Sequence, residues 1–291
     1  MRRALGLLAL ALVVPRGAAA VEAPARVEWT TSFTTALTKA GASHKPLMVE
    51  FWAEWCGWCH VLERTTLADA NVVRLAQDFV AVRIDTEGPP DQARVAARYG
   101  ITGLPTMLFL APSGRTVLQL SGYQQPEQFA RTLESVREQT AKVTAWERAI
   151  AARPDDAAAL LHLGLQAFDA DALDEALELL LRAYRADASL PVADRKHLRL
   201  VLGTVRGIEG KYAESETLLK EGLALTPADH ENDSQMLLTL GRVYAAWGKR
   251  DDAVAVLKRL LQAFPSAPGS ETARQMLADL EAETGVASPV D

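Results

Sequence analysis

Short apolar runs alternate with amphipathic stretches over the first half of the chain. Leu47-Met48-Val49-Glu50-Phe51-Trp52 is a run of strand formers. It feeds directly into Trp55-Cys56-Gly57-Trp58-Cys59-His60, after which Val61, Leu62 and Leu67 fall at near-helical spacing. This reads as strand, tight turn and helix, with the cysteine pair at the helix start. Phe79–Asp85 predicts a second strand, and 91–99 a helix. Thr106–Ala111 and Thr116–Leu120 flank Pro112-Ser113-Gly114, a hairpin signal. A helix from Pro126 to about Gln139 closes the unit. Strands alternating with helices predict an α/β domain.

The second half has a longer period. Leu163-Gly164, Leu202-Gly203 and Leu240-Gly241 recur at steps of 39 and 38 residues. Small residues follow twelve positions after each glycine (Ala176, Ser215, Ala253), with leucines four positions further on (Leu180, Leu219, Leu257). Pro227 and Pro265 each stand 24 residues after their glycine, where a helix would end. Small residues at fixed places let two helices cross closely. The pattern resembles the tetratricopeptide repeat, whose period is about 34 residues. The excess of four or five residues predicts longer turns around Ser189–Asp194 and Ala228–Asp233. Trp146, Ala149 and Pro154 fit the end of a capping half-repeat, and Glu271–Glu283 a closing helix. Such an array is expected to bind a protein or peptide on its concave face; a helical array without a groove function is the plainer alternative. Gln139–Lys142 is helix-compatible, which predicts a stiff joint between the halves.

Composition narrows the class. The chain has 291 residues, 49% hydrophobic and 23% charged, as ordinary globular proteins do. Its net charge of −6 argues against nucleic acid as a partner. Residues 144–291 carry most of the acidity, with 16 basic and 24 acidic residues against 12 and 13 in 21–143. Arg2 and Arg3 precede an apolar run, Ala4–Val14, and then Ala18-Ala19-Ala20. That is the layout of a cleaved secretory signal, and the run falls short of the roughly 20 residues a spanning helix needs. An uncleaved anchor is the alternative. The expected organisation is a signal peptide over 1–20, an α/β domain over 21–143, an all-α repeat domain over 144–285 and a frayed terminus over 286–291. The expected location is outside the cytoplasm, most simply the periplasm, where disulfides persist.

The chain has two cysteines, Cys56 and Cys59. A thiolate is the nucleophile of disulfide exchange, and the amides and dipole of a helix N-terminus stabilise it at Cys56. A spacing of three puts the second sulfur within reach, so Cys59 could resolve a mixed disulfide formed at Cys56. Cys59, one turn in, should be the more buried. Half of a zinc site and an inert structural disulfide are competing readings, but zinc wants four ligands and no further cysteine exists. Cys56-Gly57-Trp58-Cys59-His60 also matches the Cys-x-x-Cys-His pattern of haem c attachment. The strand feeding directly into the motif and Leu104-Pro105-Thr106 downstream speak against haem.

Trp52-Ala53-Glu54-Trp55-Cys56-Gly57-Trp58-Cys59, with Gly103-Leu104-Pro105-Thr106 and Gly122, resembles the active-site stretch, cis-proline segment and post-strand glycine of the thioredoxin superfamily. The resemblance covers about 27–140. Within the superfamily it is most similar to the C-terminal thioredoxin-like domain of the transmembrane thiol:disulfide interchange reductase, through Gly-Leu-Pro-Thr as a unit and through Glu63. The likeness implies that Cys56 attacks, that Cys59 resolves and that Pro105 is cis, leaving the Leu104 backbone open to an extended substrate. Trp55, Trp58, Leu104 and Thr106 would then contact substrate. Glu50 stands where thioredoxins carry a buried aspartate and would accept the resolving thiol's proton; Glu63 would tune thiol pKa. Solvent exposure is the plainer reading for each of these two carboxylates. Trp52 is expected in the core, and Asp85 to be structural.

These implications amount to an exported protein-disulfide oxidoreductase, working in the reducing direction, without a dissociable cofactor or a metal. Its partners would be disulfide-bearing protein substrates and a separate membrane electron donor. A non-catalytic scaffold acting through its repeats, or a thiol reductase serving cytochrome c maturation, are the alternatives.

Overall fold

In a computed structural model of the chain, the described residues are 26–170 and 172–282. The expected signal peptide and frayed C-terminus lie outside them. The first unit consists of β1 (Trp29–Thr30), α1 (Phe33–Ser43), β2 (Leu47–Trp52), α2 (Gly57–Arg64), α3 (Ala70–Ala76), β3 (Val80–Asp85), α4 (Pro90–Arg98), β4 (Thr106–Leu110) and β5 (Thr116–Ser121). Local chemistry sets the helix starts. The Ser32 hydroxyl accepts the Thr35 N–H ahead of α1, and the Asp69 carboxylate accepts those of Asn71 and Val72 ahead of α3. The sequence reading missed β1, α1 and α3.

The sheet runs β1-β3-β2-β4-β5, with β1, β3 and β2 parallel and β4 and β5 antiparallel to their neighbours. The pleat sends alternate side chains to opposite faces. Leu47, Val49 and Phe51 join Val82, Ile84, Leu108 and Leu110 under α1 and α4. Met48, Ala81, Met107 and Phe109 face α2 and α3 on the other side. Phe109 sits between Phe79 and Phe129, with ring centroids 6.0 and 6.1 Å away. Each such ring, fully buried, contributes roughly 2–3 kcal/mol.

The predicted helix at Pro126 does not end near Gln139. It runs as one helix, α5, from Pro126 to Ala152. Its first part packs Phe129, Leu133 and Val136 on the sheet domain, and its last part meets the helical half. Hairpin pairs follow: α6 (Ala157–Asp169) with α7 (Leu173–Arg185), α8 (Val192–Ile208) with α9 (Tyr212–Ala224), α10 (His230–Ala246) with α11 (Arg250–Ala263), and then α12 (Ser270–Ala282). Gly164, Gly203 and Gly241 lie against Leu180, Leu219 and Leu257 respectively, so closely that a Cβ would fall within 2.8 Å of each leucine. The sequence pattern at these positions is therefore the helix crossing itself.

The four or five extra residues of the repeat do not lengthen the turns as expected. They extend α8 and α10, which have 17 residues each where α6 has 13. The halves share one apolar core running from Met48 through Phe129 to Leu163 and Leu202. Polar contacts fasten the same interface. Arg115 pairs with Glu147 of α5, 3.1 Å away, and with Glu175 of α7, while Gln166 donates to the carbonyls of Thr116 and Val117 at 2.9 and 3.1 Å. Among the described residues, no helix is long and apolar enough to cross a membrane.

Candidate active site

β2 ends in a tight turn that delivers Cys56 to the N-cap of α2. Cys56 and Cys59 are joined as a disulfide. The Cys56 sulfur also accepts the Cys59 N–H, 3.1 Å away. The Cys59 amide, in the first turn of α2, thus points at the position where a thiolate would form on reduction. Both sulfurs are almost covered, Cys56 at 4% exposure and Cys59 at 0%. Ala53, Trp52 and Leu104 pack around them.

The Leu104–Pro105 peptide bond is cis. The Pro105 carbonyl accepts the Gly122 N–H at 2.7 Å, with Gly122 at φ +88°, a conformation that glycine adopts readily. Trp55 and Trp58 stand out in solvent at 67% and 62% exposure. Trp58, Leu104, Pro105, Gly122 and Tyr123 line an apolar groove of about 310 Å³. Tyr123 contacts Trp58, ring centroids 5.7 Å apart, and its hydroxyl lies 3.2 Å from that of Thr65. Thr106, expected to touch substrate, is fully buried; its hydroxyl donates to the Gly103 carbonyl at 2.7 Å, because β4 turns that side chain inward. Trp52, expected in the core, is only half-buried, with the Arg83 guanidinium 4.0 Å over its ring. Asp85 accepts the Glu87 N–H in the turn after β3.

Glu50 is no solvent-facing strand charge, since it has no exposed surface. Like Met48, it points to the α2 face of the sheet. Its register partner on β3 is Arg83, whose Nε lies 3.1 Å from Glu50 Oε2 at an angle that makes an ion pair but no hydrogen bond. Neither carboxyl oxygen has a hydrogen-bond donor. Burial pushes the Glu50 pKa up to about 7; Arg83 opposes the rise and Glu63 adds to it. Glu63, half-exposed on α2, receives two Arg83 nitrogens at 3.1 and 3.4 Å. His60 sits beside it, Nδ1 4.0 Å from Glu63 and Nε2 2.8 Å from the Glu54 carbonyl.

This carboxyl has a consequence for stability. The folded state holds the Glu50 proton up to about pH 7, whereas the unfolded chain releases it near 4.5. Between those values the folded state binds more protons, so rising pH destabilises it, by roughly 3 kcal/mol across the window. Glu50→Gln is expected to remove that decline. Urea midpoints of both proteins at pH 4.5 and 7.5 check it, and parallel behaviour of the two would rule out the buried carboxyl.

The sequence reading did not single out Arg83 or Tyr123. A signal for Arg83 was available: β2 carries a single charge, Glu50, and β3 carries a charge of opposite sign, Arg83, within its run ahead of the terminal Asp85.

A family of thioredoxin-like domains matches residues 33–137. A thioredoxin from Alicyclobacillus acidocaldarius is 36% identical over 96 residues, which are 32% of this chain and 82% of the relative. The thiol:disulfide interchange protein DsbD 1 of Pseudomonas aeruginosa is 38% identical over 80 residues, 27% of this chain. The chain spans only 14% of that relative's length. Among solved structures, a Thermus thermophilus thioredoxin aligns over 38% of this chain and 87% of its own, at 30% identity and a TM-score of 0.35. With most of a thioredoxin matched around a sulfur pair that opens a helix, the chain belongs to the thioredoxin family.

Proposed function

We propose that the protein is an exported thiol–disulfide oxidoreductase acting on protein substrates, in the reducing direction. The observation that carries this is the Cys56–Cys59 pair at the α2 N-cap, packed against Leu104 and set beside an open apolar groove. In the reduced protein, the Cys56 thiolate attacks one sulfur of a client disulfide. A mixed disulfide forms, and the other client sulfur leaves as thiolate. Glu50 takes the proton from Cys59, whose thiolate then attacks Cys56 and displaces the second client sulfur. Two electrons pass to the client, two protons accompany them, and the Cys56–Cys59 disulfide remains. A separate membrane electron donor would restore the dithiol; the likeness to thiol:disulfide interchange proteins supports such a donor.

Trp55, Trp58, Tyr123 and the Leu104 backbone are assigned to holding an extended, apolar client segment. Trp58→Ala is expected to raise KM for a protein client roughly tenfold, the loss of one aromatic anchor, with little change in kcat. A lowered kcat at unchanged KM would remove Trp58 from client binding. We assign 21–143 to the oxidoreductase unit and 144–285 to a tetratricopeptide-type array that docks a protein or peptide. The small-residue crossings at Gly164, Gly203 and Gly241 support that array type. Stoichiometric reduction tests the central reading: the prereduced protein should reduce insulin by one disulfide per Cys56–Cys59 pair. A protein that transfers no electron pair to insulin or to any small disulfide sinks it.

A further inference from the structure

We propose that the outer edge of β5 is a second binding site for the protein client: an extended client segment adds to the sheet there as a further strand, beside Gln119 and Ser121. The proposal rests on the exchange reading above and names a second point of attachment for the same client.

β5 is the last strand of the sheet, so one side of it pairs with β4 and the other has no strand beside it. The ladder decides which groups are spare. Gly122 donates to the Pro105 carbonyl, and the residues of an antiparallel pair alternate between bonded and non-bonded positions. Leu120 and Leu118 therefore turn their amides and carbonyls to Met107 and Phe109. Gln119 and Ser121, opposite Leu108 and Thr106, turn theirs outward. Their N–H and C=O groups have no partner among the described residues. The start of the same edge is closed, because the Gln166 side chain donates to the Thr116 and Val117 carbonyls at 2.9 and 3.1 Å. Native proteins cover or blunt an open edge. Here the cover from α6 stops at Val117, and the edge beyond it is open.

The open part lies in a cavity. A space of about 600 Å³ is lined by Gln119 and Ser121, by Arg98, Tyr99 and Gly100 at the end of α4, and by Asp169 at the end of α6. Both halves of the protein thus wall it. Where the cavity leads identifies the occupant. Ser121 lines this cavity, and the next residue, Gly122, lines the apolar groove beside the cysteines. On the opposite wall, Gly100 stands four residues before Leu104. A client chain held at Leu104 and Gly122 therefore meets the β5 edge as it continues. The spare groups of Gln119 and Ser121 recognise backbone, so they bind an extended segment and not a folded surface. Arg98 and Asp169 bring one charge of each sign, so the site selects no net charge. The favoured clients are those whose disulfide lies next to an unfolded, extended stretch.

The probes are two synthetic peptides, each with its one cysteine as a mixed disulfide with thionitrobenzoate: a tripeptide, and the same tripeptide with an arm of about six alternating threonines and valines. The prereduced full-length protein attacks the peptide sulfur and releases the coloured thionitrobenzoate thiolate. Single-turnover release, followed against peptide concentration, is expected to half-saturate at a roughly tenfold lower concentration for the long peptide, at a similar limiting rate. Gln119→Pro removes an outward N–H and leaves the β4 ladder intact, as proline on an edge strand does. It should erase most of that advantage and leave the tripeptide's kinetics unchanged. With oxidised wild-type protein, a long peptide carrying serine in place of cysteine should slow hydrogen exchange at the Gln119 and Ser121 amides. An arm without effect on half-saturation overturns the proposal, as does an equal effect in wild type and folded Gln119→Pro. If that variant does not fold, unchanged exchange of both amides at saturating peptide overturns it instead. Protection that needs no peptide and grows with protein concentration assigns the edge to a second copy of the chain, and overturns it too. A protein that transfers no electron pair to either peptide, yet shows both amides protected by the long one, refutes the exchange reading and leaves the edge site standing.

Discussion

Cys56→Ser is expected to reduce disulfide exchange to the uncatalysed background, while Cys59→Ser retains the first attack and accumulates a mixed disulfide with the client. The asymmetry follows from the positions. Cys56 caps α2, where free amides and the helix dipole favour a thiolate; a serine hydroxyl there is far too weak an acid to serve. Cys59 lies one turn inside with no exposure, so a bulky client disulfide cannot reach it first. Its reach is confined to Cys56, to which it is bonded in the oxidised protein. Non-reducing electrophoresis and mass spectrometry of both variants, incubated with a disulfide-bearing client, check this. Covalent adducts on Cys56→Ser but not on Cys59→Ser would reverse the assignment. Equal activity of wild type and Cys56→Ser would leave a binding scaffold as the function.

Asp233→Ala is expected to be among the most destabilising single substitutions in the helical half. Lys196 of α8 has no exposed surface, and its Nζ lies 2.5 Å from Asp233 Oδ1 on α10. The other carboxylate oxygen of Asp233 accepts the Asp229 N–H at 3.1 Å, next to the Asp229 cap of α10. Removing the aspartate takes the contacting counter-ion from a buried ammonium and leaves the Asp229 carboxylate acting on it from beyond ion-pair distance, which costs about 3 kcal/mol. Thermal unfolding should shift down by on the order of 10 °C. Replacing both partners, Lys196→Met with Asp233→Leu, should recover most of the loss, because an apolar pair of similar volume has no charge to desolvate. A shift of only a degree or two in Asp233→Ala would mean that water reaches Lys196.

The same pair bears on how far the sequence could be read. The recurrence of Gly164, Gly203 and Gly241 with Leu180, Leu219 and Leu257 was legible because a close helix crossing demands small residues at fixed intervals. The placement of the extra residues was not. Polar residues such as Asp194, Asp229 and Asp233 look like turn formers in one dimension. In the fold, Asp229 caps α10 and Asp233 closes on Lys196, so the segment becomes helix. The end of α5 was hidden for a related reason. No breaker stands between Gln139 and Ala152, and only packing on both halves shows that one helix serves them both.

The active site divides in the same way. Cys56 and Cys59 announce themselves by spacing and residue type, because their chemistry depends on a few consecutive positions, and Pro105 enters through the resemblance of Gly103-Leu104-Pro105-Thr106 to the family's segment. Glu50 was identified as a candidate, but its burial, its lack of hydrogen-bond donors and its pKa near 7 arise from strands and a helix converging on it. Arg83 and Tyr123 lie 33 and 73 residues from Glu50 and became neighbours of the site only through β-strand register and the turn after β5. The sequence by itself determined the α/β unit, the sulfur pair at a helix start and the helical repeat, since each is written in local periodicity. Tertiary structure alone decided the protonation state of the buried carboxyl and the fusion of both halves into one core, since each depends on groups far apart in the chain meeting where water is excluded.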